Sequence, residues 1–456
     1  MPGHHNSCPG SRPGSRRRRR ALALGLATTI VVAAAAPSVQ AQEAQGESVR
    51  GSPRPEYDPS GVEFDLLLQS TLAALGLGPP PDPEAPSGPL SSFNVLPALG
   101  LDVSTSDNVF RTPSDRKTDT TTTIQPSVRL RSDWTSHALN FDFSGRLQRN
   151  RTYKSEDVNA WSVGSDGLLE VDEDLQLNAL VGYQEDQESR GTINDPGATE
   201  SPTQTWAYTA RLGLQYAVPE SIQASPSYAF RRNRYGDDGS VSNRDRWFDS
   251  HSLTMRLGYE LQPGTVAFIQ PSVELRRYVE AVDRSGLIRD MNTYDAGAGL
   301  QWDTSSVTFV DIQVGLRRQV FEDPVFRDST SRLINGTALW NALPLVTLRA
   351  NVGTSFTPST SATFSGTQDY TFSFGADWEA MYNLLLSANW NVRQENFLGE
   401  DPPHDRTSHT LSLAGDLLIN EYLTGGVEYA YTFRSGTLET DRLTENLWRL
   451  KLSGRI

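Results

Sequence analysis

Serine and histidine are the residues of this sequence that could supply nucleophilic chemistry. Ser250, His251 and Ser252 form one group, and Ser408 and His409 form another. A serine nucleophile needs a histidine base within hydrogen-bonding reach and a third group that orients the base. Both groups lie in segments of alternating polarity, where neighbouring side chains point to opposite faces. This spacing disfavours a Ser–His dyad, so we predict that the protein is not an enzyme.

Charged side chains at alternate positions offer a second kind of chemistry, the electrostatic selection of a passing solute. A wall that mixes arginines with carboxylates can stay hydrated and form ion pairs along its surface. The alternative is that such charges only cross-link and stiffen a wet lining. The residues predicted to line this wall are Arg129, Arg146, Arg211, Arg231, Arg256, Arg276, Arg317, Arg349, Asp142, Asp311, Asp377 and Asp416, to which the same alternation adds Arg393 and Arg434.

Metal and thiol chemistry have little support. The single cysteine is Cys8, which lies in a segment that we expect to be removed, so the mature chain has no disulfide and no thiolate ligand. The sequence GDDG at 236–239 lacks the alternate acids and the distal glutamate of a calcium loop. The histidines do not have the spacing of a metal site. We therefore predict no cofactor and no bound metal.

Residues 1–41 have the pattern of a secretory signal. Five arginines at 16–20 lead into an apolar segment at 21–36, and the sequence VQA at 39–41 predicts Sec-type cleavage near Ala41. Removing the six arginines of this segment leaves 35 basic against 55 acidic side chains, a net charge of −20. A chain with this charge repels nucleic acid, so we predict no nucleic-acid partner.

Residues 42–92 differ in composition from the rest of the mature chain. The sequences RPEYDP at 54–59 and PPPDPE at 79–84 are acidic and rich in proline, which is typical of extended segments. Between them, residues 62–77 are apolar enough for a short helix. We interpret 42–92 as a periplasmic extension that either docks, plugs a pore or serves as a tether.

Aromatic residues recur at nearly constant spacing, each shortly before a polar turn. Steps of 43, 43, 38 and 38 residues separate the five members between 216 and 378. Amphipathic rings prefer the interface between membrane and water, so one depth repeated in this way predicts an aromatic girdle at a membrane face. A soluble propeller with blades of about forty residues is the alternative. The predicted periplasmic girdle consists of Trp134, Tyr216, Tyr259, Trp302, Trp340 and Trp378.

Segment length decides between these two folds. From Phe93 onward, apolar and polar residues alternate over ten or more positions, as at 139–148 and 206–216. Strands of globular proteins have about five or six residues, whereas tilted transmembrane strands need about nine to eleven. The alternation therefore predicts a membrane barrel.

The connections between these segments alternate in length. Short polar turns alternate with longer loops, which is the asymmetry of bacterial outer-membrane barrels, whose short turns are periplasmic. We predict an all-β, transmembrane, antiparallel up-and-down β-barrel over 93–456 with about eighteen strands, sixteen being the alternative. The predicted short turns are 132–137, 172–174, 218–221, 262–264, 303–306, 341–344, 380–383 and 419–422.

Three short motifs resemble a known family. The sequences RPEYDP at 54–59, DNVFRT at 107–112 and RSDWTSHAL at 131–139 are similar to those of the proteobacterial family called putative beta-barrel porin 2. The resemblance implies an outer-membrane barrel without catalytic residues. Some members of the family are associated with loci for exopolysaccharide synthesis and export. The Leu- and Pro-rich insertion at 61–90 departs from the family pattern.

Three functions follow as hypotheses. The first is a hydrophilic, porin-like channel, linked to exopolysaccharide export on the strength of the resemblance. The second is a structural or scaffold barrel that is closed by its loops or by the N-terminal extension. The third, an outer-membrane hydrolase that uses His251 or His409, has the least support. The expected partners are outer-membrane lipid and lipopolysaccharide, the barrel assembly machinery and, for export, periplasmic polysaccharide-export components.

Overall fold

The computed structural model describes residues 92–455, except 135–136, 173, 195–200, 218–221, 240, 306, 360, 362 and 401. The predicted signal at 1–41 and almost all of the predicted extension at 42–92 lie outside the described residues, as does Ile456. Within the described residues, no helix is both long and apolar enough to cross a membrane.

Alternation of side chains between two faces produces eighteen long strands. They have 13 to 16 residues each, as β18 and β14 illustrate, and three 3₁₀ turns at Lys154–Glu156, Arg244–Arg246 and Glu439–Asp441 lie in the connections. The strands are β1 Phe93–Ser106, β2 Asp119–Ser132, β3 His137–Asn150, β4 Val158–Glu170, β5 Leu175–Gln187, β6 Gln204–Ala217, β7 Ile222–Tyr235, β8 Phe248–Gln262, β9 Thr265–Tyr278, β10 Met291–Ser305, β11 Thr308–Phe321, β12 Ser329–Leu343, β13 Val346–Pro358, β14 Gly366–Met381, β15 Leu384–Leu398, β16 Asp405–Asn420, β17 Leu423–Gly436 and β18 Leu443–Arg455.

The sheet closes on itself. Each strand pairs antiparallel with its neighbours in the chain, and β1 also pairs with β18 from Ala98↔Arg455 to Ser106↔Leu447. Closure leaves no sheet edge, so backbone N–H and C=O groups find partners within the wall, as a structure in lipid requires. The predicted antiparallel barrel is confirmed, and the number of strands is eighteen.

The two ends of the barrel differ in the length of their connections. At one end, which we call the short-turn end, the connections have two to four residues, as at 263–264 and 133–136. At the other, the long-loop end, they have six to sixteen, as at 437–442 and 188–203. This is the predicted alternation of turns and loops.

Four of the predicted turns begin two or three residues too early along the chain. The strands continue through 303–305, 341–343, 380–381 and 419–420, and the two-residue turns follow at 306–307, 344–345, 382–383 and 421–422. The register shifts before each of these turns, for example between Trp302 and Ser305. A β-bulge places an extra residue in one strand and interrupts the alternation. The sequence pattern therefore stops before the strand does.

One seam of the barrel, between β12 and β13, has an incomplete ladder of backbone hydrogen bonds. The ladder between β12 and β13 runs from Leu343↔Val346 to Gly336↔Val352 and covers only the half nearer the short-turn end. Where the ladder ends, hydrogen bonds that involve side chains take the place of the backbone pairs. The Thr354 hydroxyl accepts from Ile334 N at 2.9 Å and donates to Ile334 O at 2.9 Å, while Thr354 N donates to Asn335 Oδ1 at 3.0 Å.

Beyond this point, the end of β13 turns into the barrel. The Phe356 ring lies 6.2 Å from that of Phe321 on β11 and 5.7 Å from the guanidinium carbon of Arg276 on β9. Strands are spaced about 4.8 Å apart, so β9 and β13 are about 19 Å apart along the wall. Phe356 can therefore reach Arg276 only if its side chain points into the lumen instead of following the wall. Phe356 belongs to an apolar cluster with Met291, Phe321 and Phe326.

Candidate functional site

The lumen holds a cavity of about 1360 Å³, and most of the residues that line it are polar or charged. Alternation sends the polar side chains inward and leaves large apolar side chains exposed on the outer face, such as Val314 and Leu316 of β11. Eight of the residues predicted from alternation lie on the cavity wall: Arg211, Arg231, Arg256, Arg276, Arg317, Arg393, Arg434 and Asp311.

Some ion pairs of this wall join strands that are not neighbours. Arg256 of β8 donates to Asp311 of β11 at 2.7 Å and to Gln301 of β10 at 3.1 Å. The guanidinium carbon of Arg256 is also 3.5 Å from the centre of the Phe268 ring. These contacts reach across β9 and hold the arginine against the wall, because the planar guanidinium can stack and donate at the same time.

Other pairs are local. Arg276 donates to Glu274 at 3.0 Å and Arg317 to Asp295 at 2.7 Å. Both members of the Arg317–Asp295 pair are shielded, with 14% and 12% of their side-chain surface exposed. Such pairs lower the free charge of the lumen but keep its surface polar.

The remaining predicted wall residues do not line this cavity in the described part of the chain, although most of them pair in the same way. Arg129 lies 3.3 Å from Asp142, and Arg146 lies 2.5 Å from Asp186. Arg349 lies 2.7 Å from Asp377. The Asp416 carboxylate lies directly over Gly426 of β17, where a larger residue than glycine would clash with it.

The six residues of the predicted girdle are exposed, with 43% to 55% of their surface accessible. Five of them also have an equivalent register, because each pairs with the residue eight positions further on. They therefore stand at the same distance from the short-turn end. The pairs are Tyr216↔Ala224, Tyr259↔Ala267, Trp302↔Val310, Trp340↔Leu348 and Trp378↔Leu386.

Two elements cross the mouth of the cavity at the long-loop end, and sequence reasoning missed both. The β5–β6 loop carries Gly191, whose carbonyl accepts from Arg434 of β17 at 2.6 Å. In the same loop, Asn194 Nδ2 donates to Pro358 O, at the inward end of β13, at 3.0 Å. The distance from β5 to β17 along the wall is about 29 Å, so residues 188–194 of this loop extend across the opening. We call Gly191, Asn194, Pro358 and Arg434 the mouth constriction.

Glycine is required at position 191. Its φ is 74°, in the left-handed region that favours glycine. A Cβ there would stand 3.2 Å from Arg434 Nη1 and 3.5 Å from Arg111 Cβ. The loop therefore passes between Arg111 and Arg434, and a side chain at position 191 would push these two residues apart.

Ion pairs tie neighbouring loops into a collar around this mouth. Arg190 of the β5–β6 loop donates to Glu156 of the β3–β4 loop at 2.6 Å, and only 5% and 6% of these side chains are exposed. Arg246 of the β7–β8 loop donates to Glu188 at 2.5 Å. In addition, His404 stands between Glu400 and Asp441, 2.8 and 2.9 Å from them. Other loops are tied by the pair Arg284–Asp245 and by the bond from Ile288 N to Asp323.

Two aspartates of the collar have displaced pKa values. Burial raises the pKa of Asp245, but the hydrogen bonds from Arg284 outweigh this effect, and the pKa lies below its ordinary value. The same bonds raise the pKa of Arg284. The backbone N–H groups of Ile288 and Val325 lower the pKa of Asp323. These carboxylates therefore stay ionised and hold their loops at all but strongly acidic pH.

The Ser–His groups are separated by the wall. Ser250 and Ser252 line the cavity, whereas the His251 side chain is exposed and its Nδ1 lies 2.7 Å from Tyr228 Oη. His409 stacks on the Phe433 ring at 4.5 Å. In the described residues, no group of three or more His, Cys, Asp or Glu side chains is arranged to hold a metal ion.

The comparison with protein families gives one match. Residues 82–455 match the model of the family described as putative beta-barrel porin 2. Among curated proteins, none matches the chain significantly.

Several solved structures resemble the chain at low identity. OccK9 (OpdG) from Pseudomonas aeruginosa has a TM-score of 0.45 and 10% identity, over 81% of this chain and 100% of that one. OpdL from the same organism has a TM-score of 0.43 and 12% identity, over 80% and 99%. The FrpB iron transporter from Neisseria meningitidis has a TM-score of 0.43 and 8% identity, over 74% of this chain and 61% of that one. The chain thus spans about three fifths of the length of FrpB.

Proposed function

The chain belongs to the putative beta-barrel porin 2 family, and we propose on this premise that its barrel is a water-filled channel in the outer membrane of a Gram-negative bacterium. The observation that carries the proposal is the cavity of about 1360 Å³ with its charged and polar wall. A barrel of eighteen strands is wide enough for an aqueous channel, unlike one of eight.

We place the short turns in the periplasm and the long loops outside the cell. The exposed apolar side chains between the two ends then meet lipid, the aromatic girdle marks the periplasmic interface, and lipopolysaccharide surrounds the long-loop end. The lining role of the wall residues, including Arg256 and Asp311, belongs to the same proposal. Removal of a signal near Ala41 is tested by the N-terminal residue of protein purified from outer membranes.

Conductance tests the channel. Purified, folded protein added to planar bilayers should give stepwise increases in current, whereas the heat-unfolded sample should give none. The folded state is checked by the change in gel mobility that membrane barrels show on heating. A protein that is folded by this criterion and never conducts would contradict the proposal.

Within this function, we propose exopolysaccharide as the exported solute. Its support is the family resemblance together with a wall of arginine, carboxylate and amide groups, which can exchange hydrogen bonds with sugar hydroxyls. Deletion of the gene should leave polysaccharide in the periplasm and reduce the secreted amount, and the wild-type copy should restore secretion. Unchanged secretion in the deletion strain would contradict the export proposal and leave the channel proposal unaffected.

A scaffold barrel that is closed in the resting state is the second candidate. The mouth constriction and the loop collar favour it, because they narrow the long-loop end. Deleting residues 43–90 separates the candidates. Conductance that appears only after this deletion would identify the extension as a plug, whereas equal conductance before and after would leave the open channel.

A further inference from the structure

Arg434 differs from the other arginines at the mouth in the groups that it contacts. Its Nε donates to Asp441 O at 2.7 Å and its Nη1 to Gly191 O at 2.6 Å. Both acceptors are backbone carbonyls without formal charge. In the described part of the chain, Arg434 forms no ion pair with a carboxylate, and its side chain is only half-buried.

The neighbouring arginines are neutralised. Arg111 donates to Glu445 at 2.9 Å, and Arg190 is held by Glu156 at 2.6 Å. Arg111 flanks the crossing loop, as Arg434 does, and Arg190 belongs to that loop. The mouth constriction therefore carries one positive charge that no neighbouring ion pair cancels.

The wall of the cavity behind the constriction has nearly balanced charges. Eleven arginines and eight carboxylate residues contribute to its lining. One of the arginines, Arg234, bonds to Asp249 and stacks on Trp247, on the outer face, which leaves ten against eight. With the ion-pair partners outside the lining added, the count is twelve arginines against eleven carboxylates, so the wall is nearly balanced and does not oppose the positive charge at the mouth. The added partners are Arg146, Arg246, Glu156, Asp369 and Glu445.

We propose that the mouth constriction selects anions and that Arg434 is its specificity-determining residue. The solutes that fit are small anions and the carboxylate groups of acidic saccharides, to which a guanidinium can offer two N–H groups. This inference rests on the proposed channel function and adds the sign of the charge that passes. The field of a charge at a narrow opening is focused by the low-dielectric wall, so Arg434 has more influence than charges in wider parts.

Carboxylates nearer the short-turn end would favour cations and so oppose the selection of anions. Asp142 and Asp377 belong to this group, but Arg129 and Arg349 neutralise them at 3.3 and 2.7 Å. Their effect on a passing ion is that of dipoles, which falls off faster with distance than that of a net charge. Asp416, nearer the same end, has no ion pair in the described part of the chain, but the field is focused most strongly at the narrow mouth. We therefore expect the charge at the mouth to determine the selectivity.

Reversal potentials in a salt gradient across a planar bilayer test the inference. The wild type should prefer chloride over potassium. Arg434→Gln should lower this preference about fivefold, the factor that one unit charge about 4 Å from an ion gives in water, with little loss of conductance. Arg434→Lys, which retains the charge, should keep the preference.

Arg318→Gln is the matched control, because Arg318 lies on the outer face and pairs with Asp328. It removes one positive charge from outside the lumen and should leave the reversal potential unchanged. A conducting wild type that prefers potassium, or an Arg434→Gln channel with wild-type selectivity, would overturn the inference and leave the channel function intact. A folded protein without conductance would remove the proposed function, and the inference with it.

Discussion

Single residues of the barrel differ in how much their ion pairs are shielded from water. Arg256 and Asp311 keep 22% and 12% of their side-chain surface exposed, whereas Arg318 and Asp328 on the outer face keep 62% and 43%. An exposed pair contributes little, because water already solvates both charges. In a shielded pair, removal of one partner leaves the other charge poorly solvated and costs more.

This difference gives a prediction for Asp311. Asp311→Ala leaves Arg256 against Phe268 without its carboxylate, so it should lower the free energy of unfolding by about 1–3 kcal/mol. Asp328→Ala, in the exposed pair, should cost less than about 1 kcal/mol. Urea unfolding in phospholipid vesicles, followed by tryptophan fluorescence, measures both. Equal losses in the two variants would contradict the ranking by burial.

Asp245 gives a prediction about pH. Its pKa is lowered in the folded protein, so its contact with Arg284 contributes stability above the unfolded pKa of about 3.9 and loses it as the pH falls through the folded value. At neutral pH, Asp245→Asn should speed hydrogen exchange in residues 279–290, by an amount equivalent to about 0.2–1 kcal/mol because Arg284 is partly exposed.

Below the lowered pKa, the wild type and Asp245→Asn should exchange at the same rate once intrinsic rates are corrected for pH. A difference that stays constant over the acidic range would assign the effect to something other than ionisation of this carboxylate. The loop at 437–442, which contains no contact to Asp245, provides the reference within the same sample.

Alternation in the sequence gives the face of a residue but not its partner. Asp186 and Asp295 are the partners of Arg146 and Arg317, yet neither aspartate was predicted from the sequence to be a wall residue. A partner depends on the register between strands and on the reach of each side chain, which one sequence does not encode locally. For the same reason, the special position of Arg434 emerged only from its contact with Gly191.

At the scale of elements, the seam between β12 and β13 is the least regular part of the wall. Its ladder covers only the half of the two strands nearer the short-turn end, and the freed end of β13 supplies Phe356 and Pro358 to the interior. A buried backbone group that leaves a ladder must find another partner. Thr354 provides two such bonds to Ile334 at the point of separation.

Replacing Thr354 therefore tests the seam. Thr354→Val keeps the shape but removes both hydrogen bonds to Ile334, which should cost about 1–3 kcal/mol of unfolding free energy. Thr330→Val, at an exposed position of β12, should change stability by less than about 0.5 kcal/mol. Urea titration of both variants in vesicles provides the comparison. An unchanged midpoint for Thr354→Val would show that the hydroxyl does not hold the seam.

The elements were predictable to different degrees. Strands with unbroken alternation, such as β3 and β6, are clear in the sequence, because each exposes one apolar and one polar face. The strand ends at bulges were not, since the extra residue reverses the pattern. The crossing of the β5–β6 loop was not predictable either. It depends on contacts such as Gly191 with Arg434 and Asn194 with Pro358, which join distant parts of the chain.

At the scale of the whole molecule, the two faces of the wall should respond differently to a new charge. Val314 is 55% exposed on the outer face near the middle of β11, whereas Ser227 of β7 lines the cavity. If lipid surrounds the barrel, Val314→Arg should cost about 2–4 kcal/mol and Ser227→Arg much less, because water in the lumen solvates the new charge. Folding yield and urea stability in vesicles measure the difference. Equal costs would contradict the assignment of the outer face to lipid.

The architecture as a whole could be inferred from the sequence because it follows from a count. Nine descending segments, each with an ascending partner, give eighteen strands, and an antiparallel sheet of this size that presents one apolar face to lipid must close. Position within the membrane and the solute do not follow from such a count. They depend on interactions with molecules outside the chain.

The pairing of β1 with β18 has a consequence for how the molecule forms. Ala98 pairs with Arg455, so the contact that closes the cylinder joins residues at opposite ends of the barrel sequence. The other seventeen ladders can form between neighbours, but this one must wait until every strand has arrived, at a large cost in loop-closure entropy. Until then, β1 and β18 are both open edges that can pair with another chain. We therefore expect closure to be the last step of assembly and the unclosed sheet before it to be the state most exposed to aggregation.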